Sequence, residues 1–280
     1  MKNKSYPLYQ TKTINNLREL VDISAEKYGD GQALTFVRKK ESISISYKRF
    51  QMEIKALGTM LLESCNNIIK DIHKSEYKDI CGNVNMDIQK TKNSDEIYGG
   101  IEFNIDIELT DENANTVNAA NMNDIKNKHI IALIGENSYE WILTYFAVVN
   151  GGNIVLPLDK ELPAQDIVNL LKHSGAEVFI YSNDYSDVAE YVRDNAESIK
   201  EYINLSQISE LVKQGTVAIN AGNTAFEDCV IDDNEVAALL YTSGTTGSAK
   251  GVMLSHKNLA CDAVAACQHE IGRASCRERV

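Results

Sequence analysis

The stretch IIALIGENSYEWILTYFAVVNGGNIVLPL, residues 130–158, decides the fold class. It opens on an unbroken apolar run, IIALIG, the pattern of a strand covered on both faces rather than one. Residues 139–149 then carry apolar side chains at helical spacing. After Gly151-Gly152 the chain returns to a short apolar strand over 154–158. A strand, a helix and a second strand at this spacing form a βαβ unit, whose two strands lie parallel and whose crossover is right-handed.

Reading outward, the alternation continues downstream. It predicts a helix over 164–173, a strand over 177–181, a helix over 188–196, a weaker strand around 202–205 and a helix over 208–213. Strands alternating with helices of this length define an α/β fold with a largely parallel sheet. Upstream, residues 14–28 read as a helix. Residues 32–38 and 43–46 read as short strands, and 47–63 as a long amphipathic helix with Phe50, Ile54, Leu57, Met60 and Leu61 inward. The character changes near Cys65. Residues 82–127 hold ten asparagines with many Asp and Lys and no helical periodicity, which predicts a disordered insertion. Inside it, IEFNIDIEL (101–109) alternates strictly, as a half-buried strand does and as a chance pattern in an Asn-rich expansion also would.

Composition limits the function classes. The chain has 280 residues and a net charge of −12, which argues against a broad nucleic-acid footprint or a polybasic membrane patch. No run approaches the ~20 apolar residues of a membrane span, and the N-terminus lacks the apolar core of a secretory signal. The six cysteines form no C-x-x-C pair, which is the usage of free thiols in a reducing compartment, so a cytoplasmic location is expected.

The chemistry concentrates in LYTSGTTGSAKG, residues 240–251. It lies between an apolar strand over 235–241 and a strand-like piece at 252–254, with Ser255 placed to cap a helix that begins at His256. Phosphate oxygens require many short donors converging on a small concave space. Glycines let the backbone curl so that successive N–H groups point inward, while Ser243, Thr245 and Thr246 add hydroxyls and Lys250 a mobile charge. Five hydroxyl residues, three glycines and a lysine exceed what a hairpin turn needs. A Walker-type loop requires Gly before and Ser/Thr after the lysine, whereas Ala249 and Gly251 flank it here. The dinucleotide fingerprint fails on its spacing as well. A flexible Ser/Thr/Gly linker does not ordinarily sit between two apolar strands.

YTSGTTGSAKGVMLSHKNL resembles the signature loop of the AMP-dependent synthetase and ligase (adenylate-forming) superfamily, with Ala249 in place of the proline common before the lysine. The upstream stretch 135–163, and LPLDKELP within it, is similar to bacterial long-chain fatty-acid–CoA ligases. The likeness covers roughly residues 10–64 and 128–269. It implies an N-terminal part of the large domain of such an enzyme: its start at 1–64, an insertion at 65–128 and the AMP-binding core at 129–269. It also implies ATP-dependent activation of a carboxylic acid, a fatty acid by the closest wording, to an acyl-adenylate, followed by transfer to coenzyme A. ATP, Mg²⁺ and coenzyme A are the implied cofactors and partners, with no nucleic acid and no integral membrane segment. The ATP-phosphate contacts carried over are Thr242, Ser243, Gly244, Thr245, Thr246, Gly247 and Lys250.

Other parts of the superfamily pattern are not found: the adenine-binding strand, the acidic residue that would hold magnesium, the ribose-binding aspartate and the domain with the catalytic lysine. No catalytic residue and no metal ligand is therefore assigned, and a fragment inactive on its own is expected. Two alternatives stand beside the acyl-CoA ligase, namely an aryl- or amino-acid adenylation domain and a non-catalytic nucleotide-binding fragment. EIGRASCRERV (270–280) looks like translated sequencing-adapter DNA and is expected not to continue the preceding helix. His256 is expected to be a capping neighbour or surface residue, His173 and Trp141 to serve packing or helix ends, and the run 232–235 to be a solvated turn. Asp159 and Lys160 match the resemblance without a chemical role.

Overall fold

A computed structural model describes residues 12–38, 40–81, 128–242 and 250–277. The insertion expected over 82–127, with its alternating 101–109, lies outside the described residues. The chain opens with helix α1 (Leu17–Tyr28), the antiparallel hairpin β1 (Gln32–Arg38) and β2 (Glu41–Ser46), and the long helix α2 (Tyr47–Cys81). Then follow β3 (Ile130–Ile134), α3 (Tyr139–Asn150), β4 (Ile154–Pro157), α4 (Ala164–Ser174), β5 (Val178–Tyr181), α5 (Ser186–Asn195) and β6 (Glu201–Asn204). After a short 3-10 turn (Leu205–Gln207) come α6 (Ile208–Asn220), the single turn α7 (Ala225–Asp228), β7 (Val236–Thr242), β8 (Lys250–Ser255) and α8 (His256–Arg277).

The main sheet runs β6-β5-β3-β4-β7-β8, parallel throughout except for the antiparallel β7–β8 pair. Every residue of β3 is buried. Its alternate side chains serve two cores, as the pleat requires. Ile131 and Leu133 join Ile54, Leu57 and Leu61 of α2 and Leu143, Ala147 and Val148 of α3 on one face. Ile130, Ala132 and Ile134 join Ile167, Leu171 and Val192 of α4 and α5 on the other. The sheet is thus covered on both sides, which explains why the opening run is apolar without alternation.

Three expectations need correction. Helix α2 does not end at residue 63, because Leu61, Cys65 and Ile68 keep the i, i+4, i+7 stripe and remain buried after the composition has changed. Helix α6 runs past residue 213 to Asn220 through Gly215. A Cβ there would sit 1.9 Å from the Ala56 carbonyl oxygen, so this glycine lets α6 lie directly against the backbone of α2. The tail at 270–277 also continues α8 instead of breaking it. One glycine costs a helix only ~1 kcal/mol relative to alanine, and the neighbouring Ala and Arg are good helix formers. Among the described residues no helix is long and apolar enough to cross a membrane.

Candidate phosphate-binding site

The topology defines where a ligand crevice opens. The connection leaving the carboxyl end of β3 enters α3 on one face, while that leaving its neighbour β4 enters α4 on the other. In open α/β sheets such a switch point leaves a gap outside the carboxyl ends of the strands. Glu136 after β3 and Lys160 after β4 face each other across it at 3.1 Å. Lys160, matched in sequence without a role, is therefore an exposed bridge at the crevice. Asp159 accepts the Glu161 backbone N–H at 3.0 Å and shapes the turn.

β7 pairs with β4 in parallel at Val155↔Ala238, so its carboxyl end, Thr242, lies on this same edge. From there the chain reverses and returns as β8, with Thr242 directly opposite Lys250. The structure thus brings together the first and last of the sequence-derived site residues, both exposed, as the closing pair of an antiparallel stem. Ser243, Gly244, Thr245, Thr246 and Gly247 lie outside the described residues. Val252 and Met253 continue β8 opposite Leu240 and Leu239. Residues 236–242 and 250–255 are thus joined as an antiparallel pair.

Behind the stem, Ser255 caps α8 as expected. Its hydroxyl accepts the Asn258 N–H at 3.2 Å, while Asn258 Oδ1 accepts the Ser255 N–H at 3.0 Å. The run 232–235 forms the expected turn, with Glu235 N–H donating to the Asp232 carbonyl. His256 is the expected neighbour of the capping Ser255, but the surface alternative is corrected, since the residue is fully buried. Burial first, and the nearby Lys128 ammonium second, depress its pKa to about 4. Neither ring nitrogen has a partner among the described residues, so this histidine packs as a neutral ring. His173 occupies the last turn of α4, as expected of a helix end, and also meets the Tyr241 hydroxyl at 2.6 Å. Local sequence carries no signal for that contact, because 68 residues separate the partners. Trp141 stacks on Tyr145, a packing role.

Thr242 and Lys250, both exposed, are register partners, and the segment between them in the sequence holds Ser, Thr and Gly but no carboxylate. Among the described residues no group of three His, Cys, Asp or Glu is placed to hold a metal ion.

Comparison with known proteins bears on the family and the fold. A 131-residue segment is 29% identical to tyrocidine synthase 2 of Brevibacillus parabrevis, covering 47% of this chain and 3% of that protein. A 132-residue segment is 27% identical to the long-chain-fatty-acid–CoA ligase FadD13 of Mycobacterium tuberculosis, covering 46% of this chain and 25% of the ligase. The chain thus spans a quarter or less of the length of these curated relatives. In fold it is similar to the crystal structure of a long-chain-fatty-acid–CoA ligase (FadD1) from Archaeoglobus fulgidus, with a TM-score of 0.60 at 16% identity over 95% of this chain and 42% of that one. The N-terminal domain of FACL13 from Mycobacterium tuberculosis matches with a TM-score of 0.55 at 17% identity, over 87% of this chain and 45% of that one. The sequence profile of the AMP-binding enzyme family matches residues 110–279, more than half of the chain, and the protein belongs to that family.

Proposed function

We propose that residues 242–250 form the phosphate-binding wall of an ATP-dependent, acid-activating ligase. The observation that carries this reading is the Thr242↔Lys250 pair, which closes a Ser/Thr/Gly turn at the carboxyl edge of the sheet beside the β3–β4 crevice. Thr242, Ser243, Gly244, Thr245, Thr246 and Gly247 supply hydroxyl and N–H donors to the phosphates of ATP, and Lys250 supplies charge. Magnesium travels with the nucleotide and neutralises phosphate charge when bound.

In the whole enzyme a carboxylate oxygen attacks the α-phosphorus and the bond to pyrophosphate breaks, giving an acyl-adenylate. A thiol, that of coenzyme A in this reading, then attacks the acyl carbon and AMP leaves. A carboxylate is a poor electrophile until its oxygen is tied to such a leaving group, so positioning and charge neutralisation supply most of the catalysis. The likeness to FadD13 over 132 residues favours a fatty acid as substrate. The likeness to tyrocidine synthase 2 supports amino-acid activation as the second reading. The 280 residues contain none of the adenine, ribose, magnesium or catalytic-lysine motifs that the resemblance calls for, so this chain alone is proposed to lack ATP–pyrophosphate exchange.

Equilibrium dialysis of the 280-residue chain with MgATP tests the phosphate wall. Lys250→Ala is expected to weaken binding by about tenfold or more through loss of a charge-assisted contact. Absence of nucleotide binding by the unmutated chain at millimolar MgATP defeats the reading, and exchange at a ligase-like rate defeats the claim of inactivity.

A further inference from the structure

Resting on the reading of residues 242–250 as a phosphate-binding turn, we propose that His173 and Tyr241 are a positioning pair that holds the Thr242–Lys250 stem in place. β7 meets β4 at Val155↔Ala238, near its beginning. Beyond that point residues 239–242 have β8 as their strand partner, and β8 is the edge of the sheet. The pair is not free-standing, since Leu239 and the Tyr241 ring pack against the core that includes α4, but a two-stranded tip needs a directional contact to fix where it points.

Tyr241 makes that contact. It precedes Thr242 and pairs in register with Gly251, the neighbour of Lys250. Because Gly251 has no side chain, the tyrosine ring lies across the opposing backbone, where a Cβ built on Gly251 would fall 3.4 Å from Cε1. From there the hydroxyl reaches His173 Nδ1 at 2.6 Å, and the two rings meet edge to face with centroids 5.7 Å apart. His173 ends α4, a helix anchored to the sheet by the buried Ile167, Val168, Leu170 and Leu171. The projecting stem is thereby tied to a rigid element of the core. Neither residue touches the nucleotide in this account; both act through Thr242 and Lys250.

Tyr241→Phe removes the hydroxyl and little else. It is expected to speed amide hydrogen exchange at Lys250 and Gly251, and to raise the MgATP dissociation constant, by about three- to tenfold each, the scale of one hydrogen bond. The thermal midpoint should stay near that of the unmutated chain, since the bond is solvent-exposed. His173→Ala should have the same effect. His173→Gln, which keeps an acceptor and donors at the helix end, should restore most of it. The double variant Tyr241→Phe/His173→Ala should be no worse than either single change. Tyr191→Phe, which loses an exposed contact to Gln165 elsewhere, serves as the control. Unchanged exchange and affinity in Tyr241→Phe, or additive losses in the double variant, overturn the proposal. If the unmutated chain binds no MgATP, the phosphate reading fails, and the exchange data alone still decide whether the pair holds the stem.

Discussion

β3 and the β7–β8 pair belong to one sheet and are built on opposite terms. β3 is buried along its whole length and feeds both cores, with Ile131 and Leu133 on one side and Ile130, Ala132 and Ile134 on the other. β7 begins in that core at Ala237 and Ala238, then passes through half-buried residues to the exposed Thr242, and β8 starts exposed at Lys250. Burial falls in the direction in which donor density rises. The molecule invests apolar area at the centre of the sheet and displays polar chemistry where the sheet runs out. The proposed binding groups thus ride on a rigid scaffold without contributing to it.

The sharpest way to break this contrast is to damage the centre. Leu133→Ala should cost about 3 kcal/mol by cavity creation, read as a lower denaturation midpoint, while the fraction still folded binds MgATP as before. Equal loss of affinity would mean that the stem depends on the core more closely than its exposure suggests.

His256 lies between the two regions and offers a pH-dependent test. Its folded pKa is depressed from the ordinary 6.5 to about 4, so the neutral ring contributes stability above pH 6.5 that is lost as pH falls toward 4. Between pH 7 and pH 5 the unmutated chain should lose about 2 kcal/mol from this group, and His256→Leu should lose correspondingly less. Denaturant titrations at the two pH values measure the difference. Identical pH dependence in both proteins would show that the ring is not buried in neutral form. A smaller effect is expected at the helix cap behind the stem, where Ser255→Ala should cost about 1 kcal/mol. Smallest in stability is Lys250→Ala, which should leave the midpoint within about 0.5 kcal/mol while weakening nucleotide binding, the reverse of the Leu133 variant.

The sheet was legible because its signals are local. The buried run of β3, the helical spacing of α3 and the Gly-Gly break before β4 each lie within a few residues, and the elements appear where periodicity predicts them. Boundaries were less legible wherever burial overrode composition. The stripe through Cys65 and Ile68 keeps α2 helical after the sequence turns polar, and α6 continues beyond residue 213 through Gly215, which admits the backbone of α2. Within the candidate site, residue types carry the proposal of a phosphate loop. Nothing near His173 announced Tyr241, and nothing near His256 announced its burial or the Lys128 charge that helps to depress its pKa.

Local spacing and residue chemistry sufficed for the α/β class and the order of strands and helices, and they single out residues 242–250 as the proposed donor segment. Only strand pairing and packing set Thr242 opposite Lys250, bring that pair to the carboxyl edge beside the β3–β4 crevice, and place a histidine of α4 against Tyr241. Those relations depend on which strand neighbours which and in what register, and both are settled by the joint packing of helices on the two faces of the sheet.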